Sequence, residues 1–123
     1  MGLSRGAALD YSEKVFGGPV RDITNTFNVA AAVQEVAGGD ADRVFVLFVN
    51  LGANQIWIHN RADVSTTNGI RVAPSGGVVG FTVLQDGILS ALPWYAYGVI
   101  GGSTLYVMQV RRESITKPAE SGA

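Results

Sequence analysis

"RVFVLFVNLGANQIWIHN", residues 43–60, is the stretch on which the fold turns. From Val44 to Val49 every position is apolar, and β-branched and aromatic side chains dominate. That is the pattern of a central strand covered on both faces. Residues 50–54, "NLGAN", contain a glycine and have the length of a hairpin connection. Residues 55–60 then alternate: Ile56 and Ile58 face one way, Trp57 and His59 the other. The unit is strand, turn, strand.

The same grammar continues on both sides. Residues 61–69 are loop, and 70–74 form a short strand with Ile70 and Val72 on one face. "APSGGVVG", 73–80, reads as a hairpin turn. Pro74 sets φ, Gly76 and Gly77 supply positive φ, and 78–84 follow as a strand with Val79, Phe81 and Val83 together. Residues 85–87 are a turn. Residues 93–100 alternate Trp94, Ala96 and Gly98 against Tyr95, Tyr97 and Val99. Gly101 and Gly102 have the form of a two-residue hairpin before a last strand, 103–112. Upstream, 24–33 read as extended and 36–43 as a turn. Six or seven short strands with no amphipathic helix predict an all-β fold, an antiparallel β-sandwich or jelly-roll-like barrel over residues 24–112. An extended N-terminal arm (1–23) precedes it, and a short polar C-terminal tail (113–123) follows.

The chain of 123 residues is 47% hydrophobic and 15% charged, which suits one folded domain. The net charge of −1 and the absence of a basic block leave no electrostatic footprint for nucleic acid. No apolar run is long enough to span a membrane, and the N-terminus has no signal-peptide core. The lack of cysteine removes disulfides, thiolate metal sites and thiol nucleophiles.

The motifs of catalysis fail in turn. The glycines of 73–80 lack the lysine of a phosphate loop and run into a strand, and no two glycines in the chain flank a single residue. His59 is the single histidine, and no serine stands in a nucleophile elbow, so no catalytic residue is expected. Asp40 and Asp42 have too few acidic companions for calcium and read as turn or capping residues. No metal and no cofactor are expected. Trp57, Trp94, Tyr95 and Tyr97 suit a core, a subunit interface or a sugar platform.

Low charge combined with high β content implies surface that assembly with other chains would cover. The run "VFVLFVNLGANQIWIHNRADVSTTNGIRVAPSGGVVGFTV" and the later "WYAYGVIGGSTLYVMQVRRE" resemble small β-rich virion proteins of tailed bacteriophages over residues 43–113. The shared pattern is a strand ending in Asn-x-Gly, an I-x-I strand, an NGI-x-V-x-P-x-GG turn and a GGSTLYV closing hairpin. The resemblance implies a capsid decoration or cement protein on the virion surface, a homo-oligomer and often a trimer, with the major capsid protein as partner. Tail and baseplate components share the pattern. A carbohydrate-binding module and, more remotely, a hydrolase are the readings outside it. The expected contact residues are Tyr11, Phe16 and Phe27 near the N-terminus, with Trp57 and Trp94 in the body.

Overall fold

Alternating side chains, turn by turn, build eight strands among the described residues. They are β1 (Val20–Val29), β2 (Gln34–Ala37), β3 (Arg43–Asn50), β4 (Ile56–His59), β5 (Ile70–Val72), β6 (Gly77–Thr82), β7 (Trp94–Gly98) and β8 (Ser103–Arg112). The computed structural model describes residues 20–113. Two antiparallel sheets form, in the orders β1-β8-β3-β6 and β2-β7-β4-β5. Every connection except β4 to β5 passes from one sheet to the other. This is the double-sheet jelly roll, and the all-β sandwich expected from the sequence is the fold observed.

The core lies between the sheets. Val29, Val46, Phe48, Leu105 and Val107 enter from one side, and Val36, Ile56, Ile58, Val72, Trp94 and Ala96 from the other. Each of the Val, Leu, Ile and Phe side chains contributes about 1.5–3 kcal/mol when fully withdrawn from water. β8 lies in the middle of its sheet, pairing with β1 on one edge and β3 on the other.

Several expected details change. The segments 50–54, 73–80 and 101–102 are not hairpins, because the strands they join belong to opposite sheets. A connection of three or four extended residues spans the ~10 Å between packed sheets as readily as it turns within one. These crossovers share an anchor. Asn50 is fully buried, donates through Nδ2 to the carbonyls of Asn54 and Val72 (2.7 and 3.0 Å), and accepts at Oδ1 from Gly52 N–H and Ser103 Oγ. One side chain thereby ties the ends of β3, β5 and the start of β8.

The turn after β5 places Ser75 and Gly76 at positive φ (61° and 103°), one residue earlier than expected. Gly77 is required for space instead. A Cβ there would lie 2.3 Å from the Ala73 carbonyl oxygen, the atom that accepts the Gly77 N–H. β1 begins at Val20, so residues 20–23 belong to the sheet and not to an arm. β2 occupies part of the segment read as a turn. β6 ends at Thr82, whose Oγ1 accepts from Gln85 N–H while its own N–H donates to Asp86, starting the helical turn α1 (Val83–Asp86). A 3-10 turn, Gly87–Ser90, completes the return to β7. Val83 therefore leaves the face it was expected to share with Phe81.

Candidate binding faces

β3 is covered on one face only. Val44, Val46, Phe48 and Asn50 are buried, whereas Phe45, Leu47 and Val49 are half-buried on the outer side of the sheet. Register places Val49 beside Tyr106 and Val78, Leu47 beside Met108 and Gly80, and Phe45 beside Val110 and Thr82. The outer face of this sheet is thus a continuous apolar surface with Thr24 and Thr26 of β1 at its margin. The unbroken apolar run that predicted double covering records a real property of β3, but no second layer within the described residues supplies it.

The outer face of the other sheet has different chemistry. Tyr95 and Tyr97 point outward because Trp94, Ala96 and Gly98 point in, and Trp57 and His59 point outward because Ile56 and Ile58 point in. Cross-strand pairing sets Arg71, Trp57 and Tyr97 in one row and His59, Tyr95 and Glu35 in the next. Arg71 Nε donates to Gln55 Oε1 at 2.9 Å. Beside this row opens a shallow cleft of about 280 Å³, lined by Trp57, Pro74, Val99 and Ile100 with Asn54 and Gln55. Val99 and Ile100 are 47% and 64% exposed. Tryptophan, tyrosine and arginine on one rigid sheet combine flat apolar area with polar tips, the composition of a contact surface.

The expected contact residues separate accordingly. Trp57 stands on the aromatic face. Trp94 does not: it is 2% exposed, stacks on Phe81 with ring centroids 4.7 Å apart, and donates its indole N–H to the Leu89 carbonyl. The alternation of β7 turns it inward, so it is a core residue. Phe27 faces Leu105 across the ladder and packs, half-buried, against the core. Tyr11 and Phe16 lie outside the described residues.

The polar candidates have structural partners. Asp40 receives Arg111 Nε at 2.7 Å and Nη2 at 3.2 Å, and its Oδ1 also accepts the Asp42 N–H. Arg111 holds the Asp40 carboxyl below the usual carboxylate range, with burial opposing. Asp40 in turn raises Arg111. Asp42 lies 3.4 Å from both Arg111 and Arg112. The two aspartates therefore brace the turn against β8, and no group of three metal-binding side chains occurs among the described residues. His59 Nδ1 accepts the Arg61 N–H at 3.0 Å, closing the turn after β4.

One residue went unnoticed in the sequence. Arg43 is 2% exposed, and its guanidinium donates to Gln109 Oε1 and to the carbonyls of Ser90, Leu92 and Gly38. Burial lowers its pKa, partly offset by Asp40. Its fork locks β3 to the 3-10 turn, a structural duty announced only by a charge at the head of an apolar run.

The fold and its two unlike faces define a small jelly-roll domain with surfaces suited to contact. No family model matches the chain, and no curated protein matches it. Among solved structures, it is similar to a protein of the work "Bacillus endospore appendages form a novel family of disulfide-linked pili", at 15% identity over 76% of this chain and 85% of that one, with a TM-score of 0.45. It is also similar to a de novo designed double-stranded β-helix solved by NMR, at 14% identity over 74% and 99% of the respective chains, with a TM-score of 0.42. No described helix is long and apolar enough to cross a membrane.

Proposed function

We propose that this protein is a structural component of a bacteriophage virion, a decoration or cement protein that bridges neighbouring capsid subunits without catalysing a reaction. The observation that carries the reading is the apolar outer face of Phe45, Leu47, Val49, Tyr106, Met108 and Val110. A chain with only 15% charged residues leaves such a face for another protein to cover. The resemblance of residues 43–113 to phage virion proteins supports the same reading. Copies on a shell act together, so modest affinity at each site suffices. Quantitative mass spectrometry of purified virions tests the proposal. A decoration protein is present in hundreds of copies on the head. Tens of copies, recovered with tails, would instead identify a tail or baseplate part.

The rows of Trp57, Tyr97 and Tyr95 favour one further reading, a carbohydrate-binding surface on which sugar rings stack. A glycan array with the intact protein and with Trp57→Ala separates the two. Binding lost in the variant supports the sugar platform, and an array without hits removes it.

A further inference from the structure

Two four-stranded sheets have four edges, and three of them are blunted. β5 has three residues, β2 has four with a register shift, and β6 has six, two of them glycines, and runs directly into α1. Short strands and bulges are the usual guards against pairing with another chain. β1 carries none of them. It is ten residues long, without proline, lysine or bulge, and from Ile23 to Val29 it has no charge. One side pairs with β8 and the other has no partner strand among the described residues.

We propose that β1 is a self-recognition edge, pairing antiparallel with β1 of a second copy about a two-fold axis at Asn25. The two four-stranded sheets then join into one of eight. This does not depend on the virion reading.

The register follows from the sequence of the strand. The Val29 carbonyl accepts from Gly102 N–H at 3.0 Å and so points toward β8. Alternation leaves the backbone groups of Asp22, Thr24, Thr26 and Asn28 facing the free edge. With the axis at Asn25, Thr24 faces Thr26 of the second copy, and Asp22 faces Asn28. These are the residues whose backbone groups are free. On the inner side Ile23 faces Phe27, and Asn25 faces Asn25. Apolar meets apolar, threonine meets threonine, and no like charges are opposed, the pairs that favour a ladder. Moving the axis to Thr24 leaves Arg21 opposite an apolar residue in either case (Val29 or Phe27) but sets Ile23 against Asn25, which breaks the match. The pairing places the apolar outer faces of the two copies on the same side of the joined sheet, with the polar rows of Asp22, Thr24, Thr26 and Asn28 between them.

The test uses the full chain. Light scattering across a concentration series is expected to give twice the chain mass. The protein has no cysteine, so Asn25→Cys introduces a single thiol that lies directly opposite its counterpart, within disulfide reach. Asn25→Cys is expected to cross-link as a dimer on oxidation, and Asp22→Cys is not. Thr24→Lys with Thr26→Lys opposes like charges and is expected to give folded monomers by circular dichroism. Thr24→Lys with Thr26→Glu opposes unlike charges and is expected to restore the dimer. A monomer or trimer at all concentrations overturns the proposal. So does a dimer that Asn25→Cys fails to cross-link, or one that survives the double lysine substitution. Failure of the Lys/Glu pair to dimerise, with its fold intact, overturns the register.

Discussion

Trp57 and Trp94 occupy neighbouring strands and point in opposite directions, so the same substitution should have unequal consequences at the two sites. Trp94 is enclosed by Phe48 and Phe81, with ring centroids at 5.5 and 4.7 Å. Trp94→Ala removes this packing and leaves a cavity between the sheets, at an expected cost of about 3–5 kcal/mol in urea denaturation. Trp57→Ala, on the half-exposed outer face, should change stability by less than about 1 kcal/mol in the same measurement. The strict alternation of Trp94 and Tyr95 was visible in the chain. Which parity faced inward was not, because both parities of β7 are aromatic and only the opposite sheet decides between them. Arg43 was illegible for a related reason. The carbonyls that satisfy it lie in the Gly38 turn and at Ser90 and Leu92, and only the completed fold collects them.

At the scale of the element, the strands were readable and their connections were not. Period-two alternation reports which side chains share a face, but it carries no record of which strand lies alongside. Glycine-rich links such as 73–77 satisfy the local geometry of a hairpin and of a crossover equally. Their constraints are nevertheless specific. Gly77→Ala forces a Cβ onto the Ala73 backbone at the mouth of the β5–β6 crossover. It should destabilise the protein by about 1–3 kcal/mol, read as a lower denaturation midpoint with an unchanged slope. The turn between β2 and β3 is held instead by charge, through Asp40 on Arg111. Asp40 is depressed in the folded protein, so its contribution is complete above the ordinary carboxylate pKa of about 3.9 and is lost as pH falls through that value to the depressed one. Stability measured from pH 6 to pH 2 should therefore fall on the acid side. Asp40→Asn should start lower at pH 6 and lose part of that slope, and an identical slope in the variant would remove Asp40 from the account.

For the molecule as a whole, the decisive feature is that β8 lies between β1 and β3. The last of the described strands is interior to its sheet, and its ladder joins residues as distant as Val20 and Arg112. Until Ser103–Arg112 docks, β1 has no neighbour, and the apolar side chains of β3 lack one wall of the core. The loop closed by this pairing spans almost the whole described chain, and its entropy must be spent before the contacts return any stability. Local signals cannot encode such a pairing, which is why strand content is legible in the sequence and strand order is not. The same separation predicts slow, cooperative folding. Refolding from urea, followed by stopped-flow fluorescence, should be single-exponential with a time constant in the range of roughly milliseconds to seconds. Trp94 reports closure of the core, because it stacks on Phe81 of the opposite sheet, whereas Trp57 on the outer face should contribute little. Trp57→Phe should therefore preserve the kinetic signal, and Trp94→Phe should abolish most of it. A fast phase in microseconds carrying the full amplitude would mean that the sheets close from local contacts alone, which this strand order does not permit.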